Sequence, residues 1–174
     1  MNWNKQNPYL AKITTKKLLS GKQSNKEVFH YEISLGDSGI TYQPGDSIGI
    51  FPINNSTLVR AIINRLQINP KYTPEGYNLN IYDLLENKFE ILTPTNRLIK
   101  FVNDNINHNA LNHSLATKNK NILMDFKYGK DVLDFMNLDQ NLKFDILHFL
   151  TLLKPLQHRA YSIASSNLIF KNSV

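Results

Sequence analysis

Cysteine is absent from the 174 residues, which excludes disulfides, zinc–thiolate sites, iron–sulfur ligation and thiol catalysis. Such a composition fits a reducing compartment. No apolar run approaches the ~20 residues needed to cross a bilayer. The opening Met1-Asn2-Trp3-Asn4-Lys5 lacks the apolar region of a secretory signal. These absences predict a soluble, cytoplasmic protein with no membrane partner. Glycine is scarce at seven residues, and none follows Gly129. The last segment therefore has no Gly-rich turn of the kind that cradles phosphate before a helix.

Long blocks of like charge are missing too. The net charge is +6, but the basic residues are scattered, so no nucleic-acid partner is expected. One local cluster stands out: Lys118, Lys120, Lys127 and Lys130 against Asp125 alone. It reads as a solvated face or as a docking patch for an acidic domain. His30, His108, His113 and His158 show no metal-ligand spacing except His108 and His113, which are five apart and not on one helical face, and no metal is expected.

What is present begins with β-type sequence. Tyr9 to Leu19 and Glu27 to Leu35 are rich in aromatic and β-branched residues. Phe29, Tyr31, Ile33 and Leu35 alternate with His30, Glu32 and Ser34, the period of a half-buried strand. Gly36-Asp37-Ser38-Gly39 makes a turn. Tyr42-Gln43-Pro44-Gly45-Asp46 makes another, with Pro and Gly where a type II turn requires them. Ser47 to Phe51 is a further strand, closed by Pro52.

The middle of the chain changes to helical periodicity. Ser56 is placed to cap a helix whose Val59, Ile62, Ile63 and Leu66 share a face. Ile81 to Leu85, Asn96 to Val102, Ala110 to Leu115 and Val132 to Met136 read as short helices. A longer helix is expected from Asp139, with Leu142, Ile146, Phe149, Leu150 and Leu153 as its stripe and Pro155 as its stop. Arg159 to Ser165 returns to strand. Strands, a helical block of about a hundred residues and a final strand together predict a helical insertion within a β-domain.

Two patterns carry chemistry. Gly45-Asp46-Ser47-Ile48 with Asp145 and His148 mimics the nucleophile and base of Gly-Asp-Ser esterases, with Ser47, His148 and Asp145 in the three roles. The other pattern is Arg159-Ala160-Tyr161-Ser162-Ile163-Ala164-Ser165-Ser166. On a strand Arg159 and Tyr161 share a face roughly 7 Å apart, a separation that suits a phosphate and a planar heterocycle on one extended ligand. Ser162 falls on the opposite face. A surface Arg beside a core Tyr on an edge strand is the alternative reading of the same residues.

This octapeptide resembles the flavin-binding strand of the ferredoxin–NADP reductase superfamily. More narrowly, the chain resembles the FAD-binding domain of the sulfite-reductase-type diflavin reductases. The likeness extends to Asn7-Pro8-Tyr9-Leu10-Ala11, to the His30–Gly39 and Tyr42–Ile50 stretches, and to Leu153-Lys154-Pro155-Leu156 ahead of Arg159. The resemblance implies an α+β fold: a partial antiparallel β-barrel of the flavin-reductase type carrying a helical connecting insertion. Residues 1–55 would be the first part of the barrel, 56–156 the insert and 157–174 the returning strand.

It further implies FAD as cofactor, held by Arg159 at the pyrophosphate, Tyr161 on the isoalloxazine and Ser162 near N5, with Ser165 in the same site. No catalytic residue is assigned. In complete members of the family NADPH reduces FAD, which passes electrons to FMN in a flavodoxin-like domain and then to the sulfite reductase haemoprotein subunit. The Lys118–Lys130 cluster would be a docking face for the FMN module. Neither a flavodoxin-like pattern nor an NADPH-binding pattern occurs in this sequence, and His158 stands where many relatives place Pro. The expectation is a truncated or split reductase that does not turn over NADPH alone. A non-catalytic docking module is the competing expectation.

Overall fold

Local capping and turn chemistry account for most element boundaries of the computed structural model, which describes residues 3–116 and 120–174, with only the backbone of Lys120. Strands β1 (Lys12–Leu18) and β2 (Phe29–Ser34) form an antiparallel pair with an irregularity between Ile13 and Thr15. Leu35 to Ser38 then turns back with Ser38 N–H donating to Leu35 O at 3.0 Å. Gly36 in this turn has φ +46°, and a Cβ there would lie 2.7 Å from the Tyr9 hydroxyl. Trp3 braces the same turn by donating from Nε1 to Ser38 O at 2.8 Å. The Pro44-Gly45 turn forms as its residues require: Asp46 N–H donates to Gln43 O at 3.0 Å, with Gly45 at φ +96°. It leads into β3 (Ser47–Ile50).

Helix α1 (Ser56–Leu66) follows, and its cap differs from expectation. Asn55, not Ser56, is the N-cap, its side chain accepting from Thr57 and Leu58 N–H. Ser and Asn are both good caps, so adjacent candidates are not separable by residue type. Next come α2 (Ile81–Asn87), β4 (Phe89–Glu90), α3 (Asn96–Asn105) and α4 (Asn109–Ala116). Helix α5 (Lys120–Lys127) was not foreseen; its mean character is polar, but Leu123 and Phe126 fall on its less exposed side. Helix α6 (Val132–Met136) starts with a reciprocal capping box between Asp131 and Asp134.

The long helix expected from Asp139 is a correction. Helix α7 spans Ile146–Leu152 alone, capped by Asp145. The reason lies in Arg65, which donates from Nη2 to the carbonyls of Met136, Asp139 and Leu142 at 2.9, 2.8 and 2.9 Å. Carbonyls gathered around one guanidinium hold the 136–142 segment in a loop. After α7, β5 (Lys154–Pro155) pairs antiparallel with β4, and β6 (Arg159–Ser162) pairs antiparallel with β3.

The fold class is α+β, with three two-stranded antiparallel sheets and seven helices among the described residues. No closed barrel is formed by them. Contacts divide the chain into two units, Met1–Ile50 with Arg159–Val174, and Phe51–His158. The helical unit contains one apolar core that includes Val59, Ile62, Leu85, Leu98, Phe135 and Phe149, all with essentially no exposure. Asn54, buried, ties its entry to α2 and β4 by donating from Nδ2 to Leu85 O and Phe89 O, both at 2.7 Å. In the β unit the buried apolar side chains are Leu35 and Tyr42.

Candidate functional site

All four residues of β6 are exposed. The ladder sets Ile50 opposite Arg159, Ile48 opposite Tyr161, Gly49 opposite Ala160 and Ser47 opposite Ser162. Directly opposed residues of an antiparallel pair share a face, so the ribbon has two unlike sides. One carries Arg159 and Tyr161 beside the half-buried Ile48 and Ile50; the other carries Ser47, Gly49, Ala160 and Ser162, with short side chains or none. The structure thus brings Arg159 and Tyr161 together and leaves Ser162 on the opposite side.

Tyr161 is 51% exposed, so its ring is not sealed into a core. The Arg159 guanidinium makes no hydrogen bond or ion pair with another described residue. A cation and an aromatic ring, adjacent and uncommitted, fit an anionic group joined to a planar heterocycle. This arrangement suits the pyrophosphate and ring of a flavin nucleotide. The ladder runs one step past β6, where Ile163 N–H donates to Asp46 O at 2.8 Å. Ile163 and Ile48 border a hollow of about 220 Å³ whose other walls include Leu35, Ile40, Tyr42 and Val174.

Ser165 is placed differently. The Tyr42 hydroxyl donates to Ser173 O at 2.9 Å and stands 2.8 Å from Ser165 Oγ. A phenol has one proton to give, so the Ser165 hydroxyl is the donor in that second contact. Ser165 therefore anchors the segment leaving β6 to a buried tyrosine. Sequence reasoning did not single out Tyr42. Its position just before the Pro44-Gly45 turn gives no sign of a partner 123 residues away.

The Asp–His half of the hydrolase pattern is not formed. The Asp145 carboxylate accepts the backbone N–H of His148 at 2.9 Å as the cap of α7, and the His148 ring stands edge-on to Phe101 at 5.0 Å. Ser47 is part of the β3 ladder. In the lysine cluster, Lys118 lies outside the described residues, as does the side chain of Lys120. Lys127 Nζ is 3.5 Å from Asn96 Oδ1. Lys130 turns back on its own turn, donating to Phe126 O with its ammonium 4.5 Å from the Phe126 ring centre. No helix among the described residues is long and apolar enough to cross a membrane.

Comparison with known proteins adds to this geometry. The family model described as "FAD binding domain" matches residues 1–97. The sulfite reductase (NADPH) flavoprotein alpha-component of Vibrio parahaemolyticus is 34% identical over 166 residues, covering 94% of this chain and 26% of that protein. The protein of the same name from Bacillus subtilis is 30% identical over 169 residues, covering 95% of this chain and 28% of the relative. That from Buchnera aphidicola is 31% identical over 175 residues, covering 99% and 29%. The chain thus spans about a quarter of the length of the relatives it matches. The similarity to them runs through the β6 segment, which lies beyond the residues matched by the family model.

Proposed function

This chain belongs to the FAD binding domain family, and from that premise we propose that it supplies the FAD-holding part of an NADPH-dependent electron-transfer flavoprotein of the sulfite reductase type. FAD is its cofactor. The observation that carries the reading is the exposed pair Arg159 and Tyr161 on one face of β6, free of internal partners. Arg159 pairs with the pyrophosphate through charge-assisted hydrogen bonds, and Tyr161 lays its ring on the isoalloxazine. Ser162, whose side chain lies on the other face of the ribbon from Tyr161, serves the flavin edge near N5 through its backbone N–H, and Ser165 serves the site by fixing the strand exit through Tyr42.

When bound, FAD supplies hydride acceptance from a nicotinamide and one-electron release. Residues 1–55 and 157–174 hold it as part of a flavin-reductase barrel, and residues 56–156 act as the connecting unit. NADPH, a flavodoxin-like FMN domain and the sulfite reductase haemoprotein subunit are the other members of the electron path. Lys127 belongs to the face that receives the FMN domain.

The test is titration with FAD and, separately, with riboflavin, which has the ring but no phosphate. Arg159→Ala weakens FAD binding by about tenfold to a hundredfold, the range of a hydrogen bond to a charged group, and leaves riboflavin binding nearly unchanged. Tyr161→Ala weakens both ligands, while Tyr161→Phe keeps both. Equal losses for FAD and riboflavin on Arg159→Ala would remove the assignment of the guanidinium to the pyrophosphate. A second reading, a docking module that binds no flavin, is favoured by the self-contained core of the helical unit. It requires that the chain take up neither ligand and still bind an acidic FMN domain in a salt-sensitive manner that Lys127→Glu abolishes.

A further inference from the structure

Arg65 faces too many acceptors at one nitrogen and none at another. Its Nη2 has two protons to give, yet it faces the carbonyls of Met136, Asp139 and Leu142 at 2.9, 2.8 and 2.9 Å. Its Nε is buried without a hydrogen-bond partner. The guanidinium also lies over Phe144, 5.6 Å from the ring centre, and that ring packs on Phe101 and Phe149 at 5.5 and 5.7 Å.

The segment gripped in this way is short of backbone bonds. The N–H groups of Lys143, Phe144 and Asp145 donate to no described residue, and those of Ile146 and Leu147 are the unmet donors of a helix start. One turn is already present upstream. Leu142 N–H donates to Asp139 O at 3.3 Å, and Asn141 N–H donates to Asp139 Oδ1 at 2.8 Å, the bond that an N-cap makes. Continuing that turn into α7 would pair the free N–H groups in the i to i−4 pattern, Lys143 with Asp139 O through to Leu147 with Lys143 O. Two of the carbonyls needed, Asp139 O and Leu142 O, are held by Arg65. In the longer helix Leu142, Ile146, Phe149, Leu150 and Leu153 would share a face, and Phe144 would turn to the side opposite Leu142.

We propose that residues 139–145 are a two-state element latched by Arg65. In the closed state the guanidinium holds the carbonyls and Phe144 stays in the aromatic cluster. In the open state the segment joins α7 as one helix beginning at Asp139, Arg65 is released and Phe144 leaves Phe101 and Phe149. Backbone bonds on one side replace guanidinium and ring contacts on the other, so the Arg65 side chain decides which set forms. The device lies within the helical unit and stands whether or not flavin binds.

The experiment is residue-resolved NMR of the whole chain, reading Cα chemical shifts and amide exchange across residues 139–148. Arg65→Met keeps the packing of the stem and removes the donors. It moves the Cα shifts of residues 140–145 to helical values and slows exchange at Lys143 to Ile146 by about tenfold or more. Adding Lys143→Gly lowers that helical population about fivefold. Asp145→Ala alone frays α7 at His148, because its cap is lost; combined with Arg65→Met it leaves His148 protected, because the helix now starts at Asp139. Should Arg65→Met fail to fold, Arg65→Lys, which keeps a cation without the planar fork, is read in the same way. Loop-like or disordered shifts at residues 140–145 in the folded variant would overturn the proposal. So would equal loss of protection at His148 on Asp145→Ala with and without the Arg65 substitution.

Discussion

The helical unit and the β unit of this chain are built on different balances of burial. Between Phe51 and His158 the apolar side chains converge from all seven helices onto one cluster, α5 contributing the half-buried Phe126 and the others residues at or near zero exposure. In the β unit Leu35 and Tyr42 are buried, while Leu10, Ile13, Leu19, Leu168 and Ile169 stay largely exposed. Two-stranded ribbons cover one side of each strand at most and need a third layer or further strands for independent stability. Helical packing therefore defines the first unit by its side chains, whereas the second is defined by backbone ladders, turns and a few long-range hydrogen bonds such as Tyr42 to Ser173. The candidate residues Arg159 and Tyr161 belong to the less buried unit and are exposed there.

Three measurements break or sharpen this contrast. The largest effect is expected for Phe135→Ala, which opens a cavity in the helical core. It lowers unfolding stability by about 3–5 kcal/mol, read from the helical circular dichroism signal in urea. A loss below that of an exposed-residue truncation such as Leu168→Ala would equalise the two units. The middle effect is Gly36→Ala. A Cβ at φ +46° meets the Tyr9 hydroxyl at 2.7 Å, so the turn loosens by about 1–2 kcal/mol. Trp3 reports it by fluorescence, since its indole donates to Ser38 O and stacks edgewise on Tyr9 at 5.2 Å. The helical signal stays in place.

The smallest effect is set by pH. Glu32 accepts the Thr15 hydroxyl at 2.8 Å and stands 3.3 Å from His30 Nε2. The Thr15 hydrogen bond, followed by that from His30, holds its carboxyl below the usual carboxylate range. A lowered pKa in the folded state means that the tie between β1 and β2 is fully present above the unfolded value and disappears as the pH falls through the folded one. Acidification through that window slightly loosens the β1–β2 ladder, seen as faster amide exchange at Thr15 and Glu32. Glu32→Gln flattens the profile.

Legibility in the sequence followed the range of the interaction. The strands were readable because Phe29, Tyr31 and Ile33 alternate with polar neighbours, and the Pro44-Gly45 turn because its two residues are the ones that the backbone angles demand. Helix α1 was readable from its apolar stripe. The arrest of the 139–145 segment was not, since the responsible guanidinium belongs to Arg65, a helix and more away in sequence. The two-residue β4–β5 ladder is too short to leave a periodic trace. At the candidate site, strand periodicity alone places Arg159 beside Tyr161. Their partners across the ribbon, Ile50 and Ile48, and the Tyr42–Ser165 contact depend on distant segments meeting, which no local pattern encodes.

Ile50 and Arg159 are paired neighbours, yet the entire stretch from Phe51 to His158 intervenes between them along the backbone. The helices thus act as a clasp: while folded, they keep the two ends of a very long excursion at ladder distance, and melting them releases those ends into a wide loop whose closure is entropically uphill. Protection of the β3–β6 ladder accordingly doubles as a remote gauge of helical integrity, and substituting a tight hairpin turn for the excursion would uncouple the two.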